Sequence, residues 1–156
     1  MSREKAKAPG ETHPSGQRPK GSAARVGTGP CASFQQVVDD YLVRHRSVLD
    51  VLSKAQESVA RVNRAVVKAV TTCGCVQIDA GAQQFPIDGS LDEVRRHMDT
   101  HLRGQLCEHC RDVLDVELGR ALFYLTAICN LFNMPLDDII TAETRRVAAL
   151  GIYNLT

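Results

Sequence analysis

The chain has 156 residues, 44% hydrophobic and 24% charged, with 19 Lys and Arg against 18 Asp and Glu. That length suits one domain, and the near-neutral balance excludes a protein that is basic throughout and binds nucleic acid by charge alone. No apolar run approaches the ~20 residues needed to cross a bilayer, and the N-terminus lacks a signal peptide's apolar core. A cytoplasmic protein is therefore expected, with no membrane partner and with its six cysteines reduced.

Residues 1–33 are rich in Lys, Arg, Gly, Pro, Ser and Thr and hold no large apolar side chain beyond Met1 and Val26. Such a segment cannot bury enough surface to offset its ordering entropy, so a disordered basic tail is expected. It carries six Lys and Arg against two Glu, which leaves 13 basic and 16 acidic residues for a single domain over 34–156. The tail has no aromatic residue to stack on a base, and no specific nucleic-acid partner is expected.

From Phe34 onward, apolar or small residues recur alternately at spacings of four and three: Val38, Tyr41, His45, Val48, Leu52, Ala55, Val59, Val62, Val66, Ala69, Cys73. The repeat predicts either one long N-terminal helix with a continuous seam, or two helices with a break around Arg44 to Ser47. Unbroken, it would run about 55 Å. A domain of this size cannot cover such a rod, so a homodimer through the long helix is expected. His45 falls in the seam as a paired core histidine.

Gly74 ends the helical pattern, and a loop follows with a short strand at Val76 to Ile78. The run Ser90 to Glu93 has the form of a capping box and predicts a short helix from Leu91 to about Arg103, closed by Gly104. A third helix begins near Leu106, with Val113, Leu114, Leu118, Leu122, Leu125, Ile128, Cys129 and Phe132 as its inward stripe. It is apolar nearly all round from Ala121 to Phe132, which should be the most buried stretch. After Pro135 a fourth helix runs to near Gly151. The fold class is all-α, a bundle of four or so helices.

The stretch VELGRALFYLTAICNLFNMPLDDIITAETRR (116–146) resembles the C-terminal helix pair of the MazG-type nucleoside triphosphate pyrophosphohydrolases. Their pattern there is close to E-L-G/A-D, followed by an apolar helix, a short turn and a helix opening with acidic residues. DVLSKAQESVARVNRAVVKAV (50–70) would take the place of the family's other metal helix, which carries E-E-x-x-E. The resemblance implies Mg²⁺ held by four carboxylates on facing helices, since Mg²⁺ demands hard oxygen ligands. Glu117 falls on the Glu of E-L-G-D, but Arg120 stands where the Asp belongs. Only Glu57 matches upstream, with Gln56 beside it and Ala60 or Arg61 three to four residues later. At most two of four ligands are present, and an Arg in a ligand's place repels a cation and pairs with carboxylates instead.

Two readings follow from the resemblance. One is a noncatalytic binding or regulatory protein, with a nucleotide or phosphate near Arg61, Arg64 and Arg120. The other is a Mg²⁺-dependent pyrophosphohydrolase using Glu57, Glu117 and either Asp112 or Asp115. Read without the family, Asp112, Asp115 and Glu117 form a solvated face near a helix start, where the helix dipole favours negative charge. Asp137 and Asp138 play the same part at the next helix start.

The cysteines carry a separate signal. Cys73 and Cys75 lie at the exit of the long helix, and Cys107 and Cys110 at the entrance of the third. In an up-and-down bundle these places meet at one end. C-x-C and C-x₂-C are two halves of a tetrahedral thiolate site, which would hold a structural Zn²⁺ and leave no open coordination position. His97, His101 or His109 could replace one thiolate. Reduced buried thiols, a redox disulfide, an iron–sulfur cluster or a thiol-based zinc sensor are the alternatives. Cys31 is expected exposed in the tail, and Cys129 in the core.

Overall fold

The computed structural model describes residues 29–83 and 91–150. The tail over 1–28 and the Ser90 end of the capping box lie outside them. In chain order the elements are α1 (Pro30–Tyr41), α2 (Val48–Lys68, prolonged by a π-helical turn Ala69–Cys73), β1 (Val76–Ile78), α3 (Leu91–His97), β2 (Leu102–Gly104), α4 (Glu108–Leu131) and α5 (Leu136–Leu150). The described residues are mostly helical, with one two-stranded antiparallel sheet. None of their helices is long and apolar enough to cross a membrane.

Pro30 sits in the first turn of α1, where its fixed φ is already helical and its missing N–H leaves no bond unmade. The helix therefore begins at Pro30 rather than Phe34. Cys31, expected in an exposed tail, is a half-buried residue of that first turn.

The seam beyond α1 is broken, as in the second of the two arrangements the repeat allows. α1 stops at Tyr41 because Leu42 turns inward, joining Val38, Val51 and Ala127 in the main apolar cluster. The polar run Arg44 to Ser47 has nothing to bury and leaves the helix. Ser47 then takes an extended conformation as N-cap of α2, and His45 Nδ1 pairs with Asp50 in the first turn of α2. The single long helix does not form, and the uncovered rod that suggested a partner does not exist.

α2 packs along α4, and this pair is the body of the molecule. The helices run antiparallel: the N-terminal Val51 meets Ala127, while the C-terminal end of α2 meets the start of α4 at the cysteines. Val51, Ala55, Ser58, Ala65 and Ala69 are the buried positions. Ala55 and Ala69 are positions the repeat marked, but Val51, Ser58 and Ala65 fall one position before theirs, leaving Leu52, Val59 and Val66 on the neighbouring flank at 44%, 54% and 38% exposure. A 3.5-residue period cannot separate two adjacent seams when both are apolar.

The same ambiguity splits the inward stripe on α4: Ile128 packs against the apolar cluster and Leu114 and Cys129 are half-buried. Ala121, Thr126 and Ala127 are its buried residues, whereas Val113, Leu118, Leu122, Leu125 and Phe132 are exposed. The fully buried positions are small, and of the larger side chains Phe123, Ile128 and Leu131 pack against the apolar cluster.

At the far end of α4, Asn133 takes a left-handed φ of 54° and closes the helix. Gln35 of α1 fastens the turn that follows. Its amide donates to the Met134 carbonyl, its side-chain oxygen accepts from Leu136 N–H, and its own carbonyl accepts from Asn130.

α3 is shorter than predicted, ending at His97. Asp99 accepts the His101 N–H, an Asx-type turn, and His101 takes φ 57°. The chain then runs back as β2, pairing Leu102 with Ile78 and Gly104 with Val76. The strand at Val76 to Ile78 is where the sequence placed it; its partner replaces the predicted end of α3.

Candidate metal centre

Three local devices bring four thiols together. The last turn of α2 loosens into the π turn that ends at Cys73, and Gly74 reverses the chain with φ 74° while its N–H bonds the Ala69 carbonyl at 2.9 Å. Cys75 leads straight into β1. Gly104, opposite Val76, has φ 80°, and a Cβ there would lie 2.8 Å from the Cys75 carbonyl oxygen. Only glycine allows β2 to pass this close to the C-x-C turn. Three residues later Cys107 serves as N-cap of α4, with its carbonyl accepting the Arg111 N–H at 3.0 Å, and Cys110 lies in the first turn.

The Sγ atoms of Cys73, Cys75, Cys107 and Cys110 all lie within 4.8 Å of one another, and those of Cys73 and Cys107 are 3.7 Å apart. Sulfurs bound tetrahedrally at about 2.3 Å from one ion are separated by about 3.8 Å. A disulfide needs roughly 2.05 Å, and all six cysteines are free thiols. The group can hold a metal ion.

Without a metal, the four thiols compete for charge. The Cys110 amide, the Cys110 thiol and the Cys73 thiol hold Cys107 down to about 7 from an ordinary 9.0. Burial, then the neighbouring thiols led by Cys107, pushes Cys110 up to about 12. Cys73 is raised as well: its contact with Cys110 lowers it, and those with Cys107 and Cys75 outweigh this. One thiolate at the helix N-cap, with the remaining protons shared around it, is the arrangement a thiophilic cation displaces, because binding releases the protons.

The histidines stand apart from this group. His101 Nδ1 meets the Asp79 carbonyl at 3.1 Å, and its Nε2 meets Gln83 at 2.6 Å, so the ring braces the loop after β1. His97 Nδ1 meets the Glu93 carbonyl at 2.8 Å. Neither these two nor His109 joins the four sulfurs. Cys129 is half-buried rather than core, its thiol held up by burial.

The residues singled out by the MazG resemblance lie along the middle of the α2–α4 pair. Glu57, Arg61 and Arg120 line one shallow cleft of about 240 Å³ with Lys54, Ser58 and Tyr124, three residues the sequence did not mark. Arg64 is exposed and does not line it. Glu57 is bound by Lys54 and by Arg61, each at 2.7 Å, which together hold its carboxyl down to about 2. Glu117 accepts from Arg120 at 2.7 Å through Oε1, while its Oε2 is buried with no hydrogen-bond partner among the described residues. Asp112 lies beside Glu117 in a second shallow depression with Val113 and Val116. Among the described residues no three carboxylates gather closely enough to hold a cation.

The sequence offered one unused signal for the metal centre. A glycine three residues before the C-x₂-C pair, following a polar turn, fits a strand that must pass close to another backbone. Compared with known proteins, the chain matches no family model, no curated protein and no solved structure.

Proposed function

We propose that this chain is a noncatalytic helical binding or regulatory module whose central helix pair is stapled at one end by a structural Zn²⁺ on Cys73, Cys75, Cys107 and Cys110. The observation that carries it is the agreement between the sulfur spacing and a tetrahedral thiolate site. Four thiolates close the coordination shell, so the ion contributes folding free energy rather than a reactive water.

The architecture gives the ion a task. The apolar cluster of Val38, Leu42, Val51 and Ala127 lies at the far end of α2 from the cysteines, about 30 Å away along that helix. Between these ends, Ala55, Ser58, Ala65 and Ala121 offer little area to bury. A zinc site would secure the end that the apolar cluster does not reach.

The MazG-like relation belongs to the same proposal. It is supported by the motif at 116–146 and by the pairing of α2 with α4, which puts Glu57 and Glu117 on facing helices. The loss of two ligand positions, and the pairing of both remaining carboxylates with Lys or Arg, favour a silent relative that contacts a phosphate through Arg61 and Arg120. The cleft, at about 240 Å³, is below the roughly 300–1,000 Å³ of small-molecule pockets, which suits a phosphate group better than a whole nucleotide.

Elemental analysis of protein purified without added metal tests the central claim. About one zinc per chain is expected, absent from the Cys73→Ser/Cys107→Ser double variant; wild-type protein without a transition metal overturns it.

A second reading, a Mg²⁺-dependent nucleoside triphosphate pyrophosphohydrolase, has one observation in its favour. Glu117 Oε2 is a buried carboxylate oxygen without a partner, the state of a ligand awaiting a cation. Pyrophosphate release from a panel of triphosphates with Mg²⁺, lost in Glu117→Gln, would replace the noncatalytic reading with this one.

A further inference from the structure

The apolar surface of the α2–α4 pair is twice as wide as one chain uses. On α2, Val48, Leu52, Val59 and Val66 are 36%, 44%, 54% and 38% exposed. At about 100° per residue they fall within an arc of roughly 40°, beside the arc of Val51, Ala55, Ser58, Ala65 and Ala69 that meets α4. On α4, Leu118, Leu122, Leu125, Cys129 and Phe132 succeed one another at spacings of four, three, four and three. The four large apolar members of that series are 46%, 57%, 49% and 60% exposed. Each helix thus carries one seam for its partner in the chain and a second seam for which the described residues provide no partner.

The two outer seams lie on the same side of the pair. Arg120, on the other flank of α4, meets Lys54, Glu57 and Arg61 of α2 across the cleft. That fixes the charged side. Opposite rotation of antiparallel helices then brings Leu52, Val59 and Val66 together with Leu118, Leu122 and Leu125 on the reverse. None of these positions is charged.

We infer that this face docks a second copy of the same chain, α2–α4 on α2–α4, as a two-fold four-helix layer. Three observations choose that occupant. Alternating four-three spacing is the signature of a helix packing lengthwise against helices, not of a surface for an extended peptide. Eight large apolar side chains at about half exposure leave roughly 700 Å² of apolar surface, close to the ~800 Å² that each partner gives to a stable interface and above what a monomer normally exposes in one patch. The segments outside the described residues offer little to cover it: Met1 and Val26 in 1–28, Phe85 and Ile87 in 84–90, and Ile152, Tyr153 and Leu155 in 151–156.

This inference does not rest on the metal. A homodimer was also expected from the apolar repeat, but through one uncovered rod; here the surface is the paired outer flank of two helices. α2 and α4 would each sit in the middle of a bundle, which accounts for α4 being apolar nearly all round from Ala121 to Phe132.

The test is sedimentation equilibrium of the full chain and of two variants, Leu122→Glu and the milder Leu118→Ser/Leu125→Ser, with circular dichroism on each. The wild type is expected at twice the 17.1 kDa of one chain. Each variant is expected to keep its helical spectrum and to dissociate with a Kd raised by roughly a hundredfold or more. If Leu122→Glu loses its helicity, the serine variant decides. A monomeric wild type would overturn the inference, as would variants that stay helical and dimeric. A monomer whose α4 amides near Leu122 resist hydrogen exchange would assign the face to the chain's own termini instead.

Discussion

Gly104 shapes the candidate metal centre without offering it a thiol. Its φ of 80° strains any side chain, and a Cβ would meet the Cys75 carbonyl at 2.8 Å. Gly104→Ala is expected to cost about 1–3 kcal/mol, read from urea melts of the zinc-loaded protein, and to weaken zinc retention against a competing chelator. Gly74, also at positive φ but with open space around it, should lose less on the same substitution. The four thiols make a second prediction at this scale. Cys107 titrates lower in the folded chain, so its stabilising contribution is present above the unfolded value of 9.0 and is lost as pH falls through about 7. Cys110 titrates higher, so its contribution is present below 9.0 and is lost as pH rises through about 12. The thermal midpoint of metal-free, reduced protein should therefore rise between pH 7 and 9 from the first and fall above 9 from the second. The Cys107→Ser variant should lose the rising limb.

The cluster of four thiols was legible in the sequence because cysteine pairs are rare and their spacing is chemical. Histidine roles were not, because a nearby imidazole serves a loop as readily as a metal, and only the placement of Asp79 and Gln83 separates the two for His101. Gln35 was illegible for a different reason. A glutamine on a helix surface carries no pattern, yet this one joins α1 to the α4–α5 turn through both ends of its amide.

Among the elements, α2 is held at its start by Val51, which is fully buried against Leu42, Val38 and Ala127. Val51→Ala should lower stability by about 2 kcal/mol, from lost burial and the cavity left behind. Leu52→Ala, one residue on and 44% exposed, should cost less within a single chain; if α2 lies in a dimer, its cost should grow with protein concentration. The comparison reads out which of the two seams is inside. Helix existence followed directly from the apolar period, and the end of α4 and the start of α5 followed from their turn residues, while the stop expected near Gly151 lies outside the described residues. Which face turned inward did not, because α2 and α4 are apolar on more than one flank. The end of α3 was misplaced because β2 is exposed and short, and its pairing with β1 depends on a contact distant in sequence.

The whole molecule is a long helix pair with an apolar cluster at one end and four thiols at the other. Of the ten buried apolar residues among those described, five are alanines, so the pair buries little for its length. If the proposed zinc is bound, removing it with a strong chelator should release the cysteine end first: hydrogen-exchange protection should fall at the end of α2, in the β1–β2 pair and in the first turns of α4, while α1 and the start of α2 keep theirs. Uniform loss of protection would mean that the two ends unfold as one unit. A family resemblance carried by 50–70 and 116–146 could not have located this division, since the four clustered cysteines lie outside both stretches.

X-ray absorption at the zinc edge of protein purified without added metal measures the centre most directly. Four sulfur neighbours at about 2.3 Å, with no nitrogen or oxygen in the shell, are what the proposed site predicts. A shell with nitrogen or oxygen neighbours, or protein carrying no zinc to measure, would contradict it.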